Sequence, residues 1–447
     1  MLVRPKHARL AQRRFLRSFS EDLTPPRKGH NWARKRQTQR AARVYFTGLL
    51  QPVRVKSMEH LAVSGGIPSH RLQQFITDSP WDPEQLLHSL RTRMGELTSP
   101  NGVVVLDDTG QAKQGTHSVG VGRQYSGTLA RVGNCQVAVT AIYLLPGDER
   151  NADQVSWPLG MELYLPKDWV EDPVRREETD IPPEVGFRTK PQIALGIVRK
   201  VREEGLPHRA VVADAGYGDN DELRAQLRAW NEPYVLGINP SSHKVQIEGG
   251  GEARTVREIL RDLPEGAWQE VSWSEGTKGR LHGRFVRTRV WGSHGSTHHK
   301  GGQVLSGEDG WLLLERRETE EKAYWVWGLD EASLEDQVGL AHGRWAIEQF
   351  HREIKQTLGM DKFQGRTWRG WHHHMAMIGL AYAFLAVLRA ERSGDGTLPS
   401  FNAVHWAVVY ALVRLDILKG QGLTKKQTRE IALRFMERAL GLRQPPE

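Results

Sequence analysis

One cysteine, Cys135, in 447 residues leaves no partner for an intrachain disulfide and excludes a zinc site built on several thiolates. Such poverty suits a reducing compartment, and Cys135 reads as a small buried residue within Cys135-Gln136-Val137-Ala138-Val139. Long apolar runs are also scarce. The longest, Met375 to Leu388, falls short of the roughly 20 residues that span a bilayer and reads as a core helix. Met1 to Lys6 lead into further basic residues with no apolar stretch behind them, so no secretory signal and no membrane partner are expected. Acidic residues are missing from the start of the chain, where only Glu21 and Asp22 stand among the cations of residues 1–46.

What is present is positive charge. A formal net charge of +9 and a pI near 9.6 suit a polyanionic partner. Residues 1–46 carry Arg13, Arg14, Arg17, Arg27, Lys28, Arg34, Lys35, Arg36, Arg40 and Arg43, interrupted by Pro25-Pro26. With little apolar material of its own, this segment reads as a basic arm that orders on a phosphate backbone, or as a solubilising tail. Residues 47–100 turn helical, with Ser79-Pro80-Trp81-Asp82 as a helix-starting turn.

Two short apolar runs each end in aspartate. Val103-Val104-Val105-Leu106 runs into Asp107-Asp108-Thr109, and Ala210-Val211-Val212-Ala213 runs into Asp214. Continuous β-branched runs of this length read as strands buried on both faces. The spacing predicts a helix over Lys190 to Glu204 between them, and strand, helix, strand is a crossover that makes the two strands parallel neighbours. Asp107 and Asp214 would then emerge together at the carboxyl edge of the sheet, where such folds keep their sites.

A third carboxylate sits on a late helix. Across Arg344 to Leu358, Arg344, Glu348, Arg352 and Lys355 share one face, within roughly 80° at 100° per residue. Ile347, Phe350, Ile354 and Leu358 form an apolar stripe beside them. A solvated helix laced with ion pairs has the same wheel. Three carboxylates together make an oxygen-rich cage of the kind Mg²⁺ prefers. Asp108 competes with Asp107, but neighbouring side chains on a strand point to opposite faces, so only one is a ligand.

Segments near 119–126, 132–145 and 155–165 read as antiparallel strands, and Tyr234 to Ile238 as a further strand. From about 240 to 330 the chain alternates apolar and polar residues between Gly-rich turns, as an inserted β-subdomain would. Within it, Arg287 and Arg289 place cations on one strand face, either toward a ligand or toward solvent. His372-His373-His374 read as a solvated or packed face and not as a metal site, since adjacent helical residues diverge. Gly110-x4-Gly115-Thr116 lacks the Lys of a nucleotide-cradling loop.

Asp-x-Thr closing one strand, Asp closing a later one, and Arg-x3-Glu-x6-Lys on a late helix together resemble the DDE transposases of bacterial insertion sequences. The resemblance runs over roughly residues 100 to 390 and includes Gly122-Arg123-Gln124-Tyr125-Ser126-Gly127 and Phe187-Arg188-Thr189-Lys190. The family's helix begins with Tyr, and that position is Ala341 here. The resemblance implies an α/β, ribonuclease H-like mixed sheet flanked by helices, with a β-rich insertion and helical N- and C-terminal parts. The expected divisions are a basic arm at 1–46, a helical domain at 47–100, core at 101–239, insertion at 240–330, core with the Glu helix at 331–392 and a helical region at 393–447.

The same resemblance implies the chemistry. Asp107, Asp214 and Glu348 would be catalytic and hold two Mg²⁺ ions, with Mn²⁺ as a substitute, while Arg344, Arg352 and Lys355 grip DNA. In such enzymes an aromatic ahead of the helix holds a flipped base, and Trp325 is the nearest match, with Trp327 the alternate. A Trp on an alternating strand also reads as core. The expected partners are double-stranded DNA, as element ends and target, and a second copy in a synaptic dimer. The expected location is the bacterial cytoplasm, with the nucleoid. A ribonuclease H-like nuclease or resolvase without strand transfer shares the metal site, and a non-catalytic DNA-binding descendant is the further alternative.

Overall fold

The computed structural model describes residues 5–24, 32–52, 56–127, 131–147, 154–248, 252–276, 279–294, 304–318, 320–391 and 399–420, with scattered positions beyond. Arg27, Lys28 and most of the region after 420 lie outside the described residues.

The strands in chain order are β1 (Val103–Ala112), β2 (Gly122–Ser126), β3 (Arg131–Leu145), β4 (Val155–Tyr164), β5 (Ala210–Ala213), β6 (Tyr234–Ile238), β7 (Lys244–Ile247), β8 (Arg254–Thr255), β9 (Gln269–Gly276), β10 (Gly279–His294), β11 (Val304–Arg316) and β12 (Glu321–Trp327). Their centre is the run β4-β3-β1-β5-β6. Here β1, β5 and β6 are parallel, and β3 and β4 are antiparallel extensions. Val103–Leu106 and all of β5 and β6 are buried, as strands covered on both faces must be. The helix Lys190–Glu203 makes the crossover into β5 and starts with a capping box between Thr189 and Gln192. This mixed sheet with helices on its faces has the α/β architecture expected, of the ribonuclease H-like kind.

The insertion is not a separate body. β12 pairs antiparallel with β6, β11 with β12 and β10 with β11, so its strands lengthen the core sheet to twelve. Where β11 and β12 join the core sheet they are buried on both faces, with Leu312–Glu315 and Ala323–Val326 continuously buried. Arg287 donates to the Ala332 carbonyl at 2.7 Å, and Arg289 pairs with Asp309 and Asp330. Arg289 is therefore charge-paired, and Arg287 is tied to the backbone just after the insertion.

The helix Trp368–Ala390 is long and apolar enough to cross a membrane by length and composition, yet most of it is buried against β4 and the N-terminal helices. Its histidines diverge as their spacing requires: His373 meets the Ile76 and Trp81 carbonyls, and His374 Nδ1 meets the Tyr45 hydroxyl at 2.7 Å. The N-terminal basic segment is helical over Pro5–Ser18 and Trp32–Leu50. Phe15, Leu16 and Phe19 are buried, with Phe15 against Phe46 and Phe384.

Arg91, on the helix Pro83–Met94, ties the N-terminal helices to the core. Only 1% exposed, it forks onto Glu204 at 2.6 and 2.7 Å and donates to the Leu159 carbonyl at 2.9 Å and to Glu84 at 2.8 Å. Removing one member of a buried pair strands its partner's charge, at about 3–5 kcal/mol. Arg91→Met is therefore expected to lower unfolding stability by about 3 kcal/mol, read from urea denaturation; a change under about 1 kcal/mol contradicts this role for the fork.

Candidate active site

The parallel register aligns Val105 with Val212, and Asp107 and Asp214 each follow two residues later. Side chains at equal offset on parallel neighbours lie side by side. Asp214 leaves its strand as the cap of the turn Ala215–Gly218, its Oδ1 accepting the Gly216 N–H at 3.0 Å. That turn lies flat on β6, and Gly218 makes this possible: a Cβ there would stand 1.9 Å from the Gly237 carbonyl oxygen.

Burial and the neighbouring Asp214 push the Asp107 carboxyl up to about 7, against the opposing pull of Arg344. Asp214 is raised as well, by burial and the charge of Asp108, again against Arg344. Asp108 itself points to the other face, where Lys190 holds it at 2.9 Å. Asp107 is thus the member of the Asp-Asp pair that faces the Glu helix.

The Arg-Glu-Lys face does not lie on one continuous helix. The chain bends at Arg344 after the helix Leu334–Gly343, runs as α-helix over Trp345–Glu353 and widens to a π-turn over Ile354–Leu358. Gly359, at φ +80°, closes it in the left-handed region. A hydrogen-bond chain docks this helix on the sheet: the Thr140 hydroxyl donates to the Asp107 carbonyl at 3.1 Å and meets His351 Nε2 at 2.7 Å. Burial pushes His351 down to about 3, so it is neutral and its ring N–H can donate to Thr140.

Arg344 reaches Asp107 at 3.2 Å with one guanidinium nitrogen and bonds Glu348 with the other, at 2.5 Å. Lys355 Nζ donates to the Gly110 carbonyl at 2.9 Å, and burial pulls it down to about 8. Arg352 is exposed on the same helix. The structure thus brings Asp107, Asp214, Glu348 and Arg344 together, with Lys355 farther along β1. Among the described residues no three acidic, cysteine or histidine side chains are gathered tightly enough to hold one ion. Two carboxylates of the expected cage are assembled, and Arg344 holds the third. The donor set is all carboxylate oxygen, and two like charges forced together out of water require a proton or a cation between them, so hard divalent ions fit it.

Trp325 is not at this site's surface. It is 1% exposed on β12, between Leu312 and Leu236, with the Arg224 guanidinium 5.4 Å from its ring. No base can stack on it in this conformation. Trp327 is partly buried and stacked on Tyr234. An aromatic with an open face beside Arg344 is Trp345, 54% exposed. Sequence reasoning also passed over Tyr217, whose buried hydroxyl has no hydrogen-bond partner among the described residues and feels the charges of Asp108, Asp107 and Asp214. The available signal was its place three residues after Asp214. Ala341, at the position of the family's Tyr, is buried.

Comparison with known proteins bears on this geometry. Residues 18–280, more than half of the chain, match the family described as DDE superfamily endonuclease, and residues 190–384 match the transposase DDE domain. The chain belongs to the DDE superfamily. A probable transposase for insertion sequence element IS701 from Microchaete diplosiphon is 29% identical over 211 residues, 46% of this chain and 50% of that protein. The match therefore spans about half the length of that relative. The DDE family is one of nucleases and transposases whose domains use divalent ions, in keeping with the acidic pair described above.

An acid whose pKa rises on folding from 3.8 to about 7 keeps a proton that the unfolded chain has released between those values. Its contribution to stability therefore falls as pH rises through that window. In chelator, Asp107→Asn is expected to raise the melting temperature near pH 8 and to change it little near pH 4. Calorimetry showing a lower melting temperature than the unaltered chain near pH 8 contradicts the burial of an ionised Asp107.

Proposed function

We propose that this chain is a DNA transposase that cleaves the ends of its element and joins them to a target duplex by metal-dependent phosphoryl transfer. The observation that supports this best is the β1–β5 register, which sets Asp107 beside Asp214 and under Arg344 and Glu348. Bound divalent ions, Mg²⁺ or Mn²⁺ in its place, would activate water or a 3′-hydroxyl and stabilise the leaving oxygen. Asp107 and Asp214 would hold them, and Glu348 would complete the set once Arg344 lets it go.

A phosphodiester entering beside Asp107 offers the Arg344 fork a competing anion with matching geometry. Arg344 would then hold the reacting phosphate in line, and Glu348 would turn to the acidic pair. Arg352 and Lys355 would fix neighbouring phosphates without proton chemistry. The stacking role that the resemblance gave Trp325 passes in this proposal to Trp345, whose exposed ring adjoins Arg344. Cutting two ends together calls for a synaptic homodimer on double-stranded DNA, acting in the bacterial cytoplasm.

Glu348→Gln is expected to lose strand cleavage in Mg²⁺ by at least about 100-fold while binding DNA in Ca²⁺ as the unaltered chain does. Undiminished cleavage would remove Glu348 from the mechanism. Incubating the unaltered chain with labelled element ends and a plasmid should give joined products; nicking with no joined product would instead identify a nuclease or resolvase.

A further inference from the structure

The positive charge of this chain is unevenly free. A cleft of about 1060 Å³ in the insertion sets four arginines against four glutamates, and the ion pairs of Arg284 and Arg316 with Glu265 add to that balance. A smaller cleft of about 430 Å³ at the far end of β1 is different. It lies between residues 112–118 and the loop that follows the Glu helix, and it is lined by Lys113, His117 and Arg366 with no carboxylate.

This cleft is joined to the active site by β1. Asp107, Thr109 and Gln111 alternate onto the face that carries the Glu helix, and Lys113 continues the series. The contacts agree: Gln111 Nε2 donates to the Asp361 carbonyl at 2.9 Å and to that of Phe363 at 3.3 Å, and Lys113 Nζ donates to Phe363 at 2.6 Å. Cations therefore recur along the strand, Arg344 at Asp107, Lys355 at Gly110, then Lys113 with Arg366. Six residues at about 3.4 Å each put the cleft about 20 Å from Asp107, the length of about six base pairs.

Its backbone is pinned. Asn134 Nδ2 donates to the Lys113 carbonyl at 2.9 Å and to that of Gly115 at 3.0 Å, and the Val119 N–H donates to the Arg366 carbonyl at 3.0 Å. Arg366 and His117 are exposed, and neither side chain has a hydrogen bond or ion pair among the described residues. Asp361, whose charge reaches both Lys113 and Lys355, is itself paired with Lys362 at 2.9 Å. Burial draws Lys113 down to about 8, so an adjacent anion would also secure its proton.

We infer that the cleft formed by Lys113, His117 and Arg366 is a phosphate-binding subsite that holds the DNA backbone about six base pairs from the reacting phosphate. It rests on the DNA reading above, and the test separates the two. Fluorescence anisotropy of a random-sequence 30-base-pair duplex in Ca²⁺ is followed against NaCl for the full chain, Lys113→Ala, Arg366→Ala and, as a paired-cation control, Arg284→Ala. Each cleft variant is expected to weaken binding severalfold and to lower the slope of log affinity against log salt by about one, while Arg284→Ala leaves it unchanged.

Lys113→Ala also removes a loop contact. Arg366→Ala, which removes no side-chain bond, should melt as the unaltered chain does and is the decisive variant. An unchanged slope for Arg366→Ala, with the unaltered chain binding DNA, overturns the subsite and leaves the transposase reading standing. Failure of the unaltered chain to bind the duplex overturns both.

Discussion

Two carboxylates held side by side out of water repel each other, and the site of this protein is built around containing that repulsion. The strand register that aligns Asp107 with Asp214 is fixed by apolar side chains buried on both faces, so it cannot relax to separate them. What the structure offers instead is one guanidinium. Arg344 draws both aspartates down while burial pushes them up, helped by the charge of Asp214 on Asp107 and of Asp108 on Asp214, and burial dominates. In the proposed function the remaining imbalance is what a bound cation would relieve. A stronger internal counter-charge would make a steadier protein with less reason to bind a metal.

The insertion shows why net charge says little about where a polyanion lies. Because β12 continues the core sheet through β6, the insertion packs as part of the scaffold, and its arginines meet acids and carbonyls at short range. Glu315, fully buried, is held down to about 2 with His342, Tyr324 and Arg317 around it. Such cations have no charge left for a ligand. At the end of β1, His117 and Arg366 have no acid paired with them among the described residues, and the proposed phosphate subsite rests on that difference in pairing, not on the total of +9.

Much of this was legible in the chain. Unbroken β-branched runs ending in Asp, a helix between them and an apolar stripe beside Glu348 fix element type through local periodicity, and these elements appear where the sequence placed them. The Thr189 capping box and the turn after Asp214 are local signals that the sequence reading did not use. What was hidden is what periodicity does not encode. Alternation in the sequence of β10 to β12 does not say which sheet the strands join, so strands that extend the core sheet read as an inserted subdomain. Trp325 lies on an alternating strand whether it faces a ligand or a core, and only its neighbours decide. Phe15, Leu16 and Phe19 are too few to announce a docked helix amid so many cations, since their partners Phe46 and Phe384 lie far along the chain. The π-turn likewise has no signature in a wheel drawn at fixed pitch.

The π-turn bears on how one helix can serve two distances. A regular helix from Arg344 to Lys355 would fix the lysine about 17 Å along the axis from the arginine, at 1.5 Å per residue. Widening the last turn changes that rise and the direction of Lys355, which bonds Gly110 three residues beyond Asp107 on β1. Its ammonium is held by a neutral carbonyl, whereas Arg344 is held by two carboxylates. In the proposed function a phosphate arriving at Arg344 would have two carboxylates to displace. Rearrangement of the acidic cluster would then draw on the binding energy of a DNA strand held elsewhere on the protein.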